Sequence, residues 1–155
     1  MNNNFINIYN NLIVLTRNKR LYKKLKYQDT FSDRLLFFLL HFAFFIKEYK
    51  NNNSKETIQE IYDYIFRQIE LSIREIGYGD QSINKKMKDY LNLFHAMIDK
   101  IHKWEDLTLD LKTSLLASFL DNVTDYDYLT DYFEKYQLNL KNKTLNSYLK
   151  GVIKH

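Results

Sequence analysis

The sequence predicts an all-α protein, a single compact multi-helix domain of about seven helices over residues 1–155. Three observations carry that prediction. A chain of 155 residues is the size of one domain with one sizeable core, burying roughly 70% of the surface its unfolded form exposes. It has no proline and three glycines, Gly77, Gly79 and Gly151, too few turn residues for a many-stranded sheet. Apolar residues also recur at helical spacing along most of its length. The same composition excludes whole classes of chemistry. Without cysteine there is no disulfide, thiol nucleophile or thiolate metal site, and no P-loop or dinucleotide fingerprint can be written.

The elements follow in order. Phe5, Ile8, Tyr9, Leu12, Ile13 and Leu15 mark a first helix over about 4–17. A basic stretch follows, Arg17, Lys19, Arg20, Lys23, Lys24 and Lys26, with no acid inside it. Thr30-x-x-Asp33 reads as a capping box for an apolar helix over about 31–50. Asn51-Asn52-Asn53-Ser54 breaks that helix, and Ser54 caps the next one. Its stripe of Ile58, Ile61, Ile65, Ile69 and Ile73 stops at Gly77, where a left-handed residue is cheap. Ser82 restarts the chain, and Ile83, Met87, Leu91, Phe94, Met97 and Ile101 form another long stripe. Helices over about 108–122, 125–139 and 142–153 complete the set, with neither an internal repeat nor an interdomain linker.

Net charge is a mild +4, but it is unevenly placed: residues 1–50 carry nine Lys/Arg against three Asp/Glu. The basic stretch suits phosphates of RNA or anionic headgroups, and its ordinary explanation is a solvated helix surface. The longest apolar run, Leu35 to Ile46, is twelve residues broken only by His41. At about 1.5 Å per residue it falls short of the roughly 30 Å needed to cross a bilayer. The start Met1-Asn2-Asn3-Asn4 is neither a signal peptide nor an Arg-rich transit peptide, so the chain is expected to stay where it is made. The richness in Asn, Ile, Lys, Tyr and Phe fits an AT-rich genome, and the aromatic content by itself carries little weight.

Catalytic and metal chemistry find little support. Asp99-x-x-His102 with His95 makes half of a helical carboxylate–histidine site, and the matching half is missing. Ser72, Ser82, Ser114, Ser118 and Ser147 lie in no Gly-flanked nucleophile elbow. No catalytic residue, metal or cofactor is expected. His41, in the middle of an apolar face, has an ordinary explanation as a satisfied core imidazole.

Two short runs are more informative. One is Asp29-Thr30-Phe31-Ser32-Asp33-Arg34, followed by His41; the other is Arg74-Glu75-Ile76-Gly77-Tyr78-Gly79-Asp80, followed by Lys85-Lys86-Met87-Lys88. Glu75 stands in the last turn of its helix, where the dipole disfavours a carboxylate, so Arg34 or Arg74 is its expected partner. Together and in register, the two runs resemble those of the ubiquinol–cytochrome c chaperone family, over about Leu12 to Val123. The chain departs from the family pattern at Asp33, at Lys26-Tyr27-Gln28, and at Asp121 ahead of Asn122, which weakens Asp121-Asn122 as a carried-over site.

The resemblance implies a non-enzymatic assembly chaperone for the cytochrome bc1 complex, acting on newly made cytochrome b. It also implies the ribosome near the nascent-chain exit and a second assembly factor as further partners. Its location would be cytoplasmic and peripheral to a bacterial inner membrane, or on the matrix side of a mitochondrial one. Asp29, Thr30, Arg34, His41, Arg74, Glu75, Gly77, Gly79 and Asp80 form the expected functional or fold-critical set, the two clusters meeting through charge-assisted hydrogen bonds. Phe38 and Phe42 join them as partner-binding residues. A helix as aromatic as Phe37, Phe38, Phe42, Phe44 and Phe45 make it must be buried on every side or leave a patch for a partner. The alternative is a basic helical module that binds RNA or an anionic membrane surface, with a small metal-dependent enzyme as a third reading.

Overall fold

The computed structural model describes residues 4–153. Among them run eight α-helices: α1 (Phe5–Thr16), α2 (Lys19–Tyr22), α3 (Phe31–Tyr49), α4 (Lys55–Ile76), α5 (Asp80–Ile101), α6 (Leu109–Phe119), α7 (Tyr126–Lys141) and α8 (Leu145–Lys150). A 3-10 turn, Trp104–Asp106, joins α5 to α6. The additional helix is α2, one turn inside the basic stretch. Asn18 starts it by accepting the Arg20 N–H at 3.0 Å, and the buried Leu21 side chain holds it down. The chain start read above for targeting, Met1 to Asn3, lies outside the described residues, as does His155.

Helix ends follow their local chemistry. Thr30 and Asp33 close the expected capping box: the Asp33 N–H donates to Thr30 Oγ1 at 3.2 Å, and the Thr30 N–H donates to the Asp33 carboxylate at 3.0 Å. Ser54, Thr108, Asp125 and Thr144 cap α4, α6, α7 and α8 through their side chains. Gly77 ends α4 with φ +102°, the left-handed conformation that only glycine adopts without strain. α5 begins at Asp80, one half-turn earlier than Ser82 suggested.

α3 is the axis of the domain, packed by α1, α5 and α7, while α4–α5 and α6–α7 form hairpins around it and α8 returns onto α1. Of the two fates open to its aromatic run, burial on every side is the one realised: Phe37, Phe38, Phe42, Phe44 and Phe45 are all buried. Phe42 stacks on Phe94 of α5 at 5.0 Å, and Phe44 stacks on Phe133 of α7 at 5.3 Å while meeting Trp104 edge-on. Each buried phenylalanine contributes about 1.5–3 kcal/mol. The C-terminal end is tied back through Asn11, whose amide donates to Gly151 O at 2.9 Å and accepts the Ile153 N–H at 2.7 Å.

Candidate functional site

The segment linking α2 to α3 is strapped to the loop between α6 and α7. Thr124 donates to Lys24 O from both its N–H, at 2.7 Å, and its hydroxyl, at 3.1 Å. Asn122 grips the Tyr27 peptide from both sides: it accepts the Tyr27 N–H at 2.9 Å and donates to Tyr27 O at 3.5 Å. The same amide donates to the Asp33 carboxylate at 3.1 Å. Lys24 closes the strap with an ion pair to Asp125 at 3.6 Å and lies over the Tyr128 ring.

These bonds fix the backbone of Tyr27 while its side chain stands in solvent; the residue is 77% exposed, the most exposed of the large hydrophobic residues described. Beside it opens a cleft of ≈ 560 Å³ lined by Thr30, Ser32 and Asp33, by the apolar side chains of Leu36, Leu93 and Phe119, and by Asn122. The hallmark residue Thr30 and the cap partner Asp33 therefore stand on its wall. Asp29 faces elsewhere and takes Arg34, whose Nη1 donates to it at 2.8 Å.

The second cluster is also closed on itself. Arg74 donates from Nε to Glu70 at 3.3 Å and from Nη1 to Asp80 at 3.0 Å. Those hydrogen bonds, to Asp80 first, raise its already high pKa further. The expected charge-assisted link between the clusters is not formed among the described residues, because each guanidinium finds a carboxylate within a turn or two of its own chain. Glu75, expected to pair with Arg34 or Arg74, is exposed, and Glu70 occupies the place beside Arg74. Around Gly79, with φ −71°, a Cβ would meet nothing within 4 Å, and the same open space surrounds Gly77.

His41 and Phe42 have no exposed surface, so neither offers a contact to a partner approaching this fold from outside. His41 joins α3 to α7 instead. Its Nδ1–H donates to Phe37 O at 2.7 Å, and its Nε2 accepts the Tyr132 hydroxyl at 2.6 Å, an arrangement that needs the neutral ring. Burial pushes its pKa from 6.5 to about 4, the Phe37 carbonyl opposing weakly. The core explanation of this histidine holds. Phe38 is buried too, but it forms part of a cavity wall between α1, α3 and α4. In the basic stretch Arg17, Lys19, Arg20, Lys23 and Lys26 are exposed, while Lys24 is drawn into the strap. His95 bonds Tyr62 at 3.1 Å, and His102 meets Lys50 at 3.5 Å.

The sequence profile of the ubiquinol-cytochrome C chaperone family matches residues 23–138, three-quarters of the chain, and spans both hallmark runs as well as Asn122. The chain belongs to that family. It is thus a chaperone of bc1 assembly and not an enzyme. Among solved structures it is similar to the crystal structure of the Cbp3 homolog from Brucella abortus. The TM-score is 0.74 at 21% identity, over 98% of this chain and 88% of that one, so the two share a fold. No curated protein matches the chain at a significant level. No helix among the described residues is long and apolar enough to cross a membrane.

For this chaperone, Asn122 and Tyr27 are the residues that reading the sequence undervalued. Asp121 ahead of Asn122 reads as a broken motif, yet Asp121 is exposed while the Asn122 amide does the tethering. The signal was an asparagine just past the end of a helix, a residue suited to bonding the backbone of a neighbouring loop.

Proposed function

We propose that this chaperone binds newly made cytochrome b during assembly of the bc1 complex, and that an apolar helix of the client lies in the cleft beside Tyr27. One observation carries the reading: an exposed aromatic side chain on a backbone held from both sides by Asn122, next to an apolar floor of Leu36, Leu93 and Phe119. Tyrosine and other aromatics dominate binding energy at interfaces, and an anchor whose backbone is already fixed loses less entropy on binding. A groove of that kind accepts an apolar helix through side chains on one of its faces. Thr30 and Asp33 at the wall set the polar edge of the cleft and complete the cap of α3.

The experiment places a photoreactive residue at position 27 or 119 of the chain in cells translating cytochrome b. Capture of cytochrome b from both positions, and its loss in a Leu93→Arg variant that still folds, supports the reading. Capture of cytochrome b only from positions outside the cleft overturns the site, and absence of cytochrome b from every position overturns the client.

A further inference from the structure

Between α1, α3 and α4 lies a cavity of ≈ 200 Å³ with an apolar interior made by Tyr9, Ile13, Phe31, Leu35, Phe38 and Ile69. Three of its four hydroxyl groups are turned away to the backbone. Thr16 donates to Leu12 O at 2.8 Å, Ser72 to Gln68 O at 3.1 Å, and Tyr22 to Thr16 O at 2.7 Å. Arg17 and Arg34 complete the lining and are exposed, whereas Leu35, Phe38 and Ile69 are 6%, 4% and 3% exposed. The charge therefore stands at the open end and the hydrocarbon surface behind it. Cavities of about 150 Å³ lined by Leu, Ile and Phe stay dry and admit an apolar guest. A guest that fills this one and faces two guanidinium groups is an amphiphile with an anionic head.

The surroundings of the mouth identify the source of that amphiphile. Arg34 shares one N–H with Asp29 and keeps others for a ligand. From Arg17 the positive charge continues through Lys19, Arg20 and Lys23 with no acid between them. None of these four residues forms an ion pair among the described residues. A single free carboxylate or phosphate needs no such strip. An extended anionic plane that also presents hydrocarbon chains matches both features, and that is the surface of a bilayer containing anionic lipid. RNA would answer the charge and leave the apolar cavity unexplained.

We propose that the α1–α3–α4 cavity receives one acyl chain of an anionic phospholipid. Arg17 and Arg34 hold its phosphate, and the strip from Lys19 to Lys23 lies over neighbouring headgroups. This contact is on the other side of the first turns of α3 from the Tyr27 cleft and does not rest on the client reading: Phe31, Arg34, Leu35 and Phe38 line the cavity, and Thr30, Ser32, Asp33 and Leu36 line the cleft.

The test uses the full chain with vesicles of phosphatidylcholine, alone or mixed with phosphatidylglycerol, and a phosphatidylglycerol carrying a photoreactive group within its acyl chain. The chain is expected to float with the anionic vesicles only, and the label to land on Leu35, Phe38 or Ile69. Ile13→Trp and Ser72→Trp fill the cavity from opposite walls without touching a charge. Whichever of them keeps its melting transition should lose the label severalfold while still floating. Replacing Arg17 and Arg34 together by Gln should lose both flotation and label. The proposal is overturned by label spread over the surface and indifferent to a folded filling variant. It is equally overturned if a photoreactive fatty acid in vesicle-free solution labels the cavity and the phospholipid does not, or if ribosomal RNA retains the chain and anionic vesicles do not.

Discussion

Asn122 donates a hydrogen bond to the carboxylate of Asp33 at 3.1 Å, joining residues 89 positions apart in the chain. Asp33 is at the same time the reciprocal half of the α3 capping box, so one carboxylate both starts the central helix and anchors the α6–α7 loop. The Asn122 amide has its remaining capacity committed to the Tyr27 peptide. The start of α3, the backbone of the exposed tyrosine and the turn before α7 are therefore tied together through one side chain.

Removing that amide is the first test. Asn122→Ala takes away the bonds to Tyr27 and Asp33 together, and hydrogen bonds of this kind are worth about 0.5–3 kcal/mol, those to charged groups the most. A loss of about 1–2 kcal/mol in urea unfolding is expected, with weaker capture of cytochrome b from position 27 under conditions where the variant is folded. Asn122→Asp should be worse, since it sets a second carboxylate against Asp33. Equal stability in all three proteins would mean that the strap does not hold the loop.

Phe42 separates a core role from a contact role. It is fully buried and stacked on Phe94, so Phe42→Ala should destabilise the chain by about 3–5 kcal/mol. The milder Phe42→Leu should lower the melting temperature and leave client capture intact in the protein that remains folded. Loss of capture without loss of stability would return Phe42 to the contact surface.

What the sequence made legible was local. The Thr30–Asp33 box, the Ser54 cap and the Gly77 stop each depend on residues within four positions of one another, and all three stand where the spacing put them. The aromatic run of α3 announced a helix but left open whether the fold or a partner covers it; only the packed structure shows the fold covering it. Pairing across the fold was not legible, because side-chain periodicity says which face is apolar and nothing about what that face meets. Arg34 and Arg74 invited a link between the clusters, but Asp29 and Asp80 were nearer along the chain and took them. Tyr27 and Asn122 lie in loops, where periodicity is silent, and their relation appears only once α6 and α7 have folded back over the start of α3.

Acid should find two separate weak points. Burial holds the His41 pKa at about 4, below the 6.5 of the unfolded chain, so between those values the unfolded state binds more protons. Stability from this group is whole above about pH 6.5 and drains as pH falls toward 4, by up to about 3 kcal/mol. Glu105 responds lower: hydrogen bonds from Lys141 and then Lys47 hold its carboxyl at about 2, so its contribution is lost as pH falls from about 4.5. Its side chain is nearly half exposed, which keeps that contribution small. His41→Gln should flatten the fall of the urea midpoint between pH 7 and 5 and leave the lower window unchanged. An unaltered profile would remove His41 from the acid response.

The two hallmark glycines divide by conformation, which allows their structural and functional duties to be told apart. Gly77 sits at φ +102°, where any Cβ is strained, so Gly77→Ser should lose about 1 kcal/mol, and Gly77→Asn should recover part of it. Gly79 sits at φ −71° at the N-cap of α5, where the helix has no side-chain cap and a Cβ would meet nothing within 4 Å. A serine there is compatible with the backbone and can accept one of the unpaired N–H groups, so Gly79→Ser should melt at the same temperature or slightly higher. The decisive comparison is bc1 assembly in cells carrying each variant. A stable Gly79→Ser protein that no longer supports assembly would show that the bare backbone at this corner faces a partner. Full assembly with Gly79→Ser, beside a defect with Gly77→Ser that follows its lost stability, would assign the whole Gly77–Asp80 run to holding the α4–α5 corner.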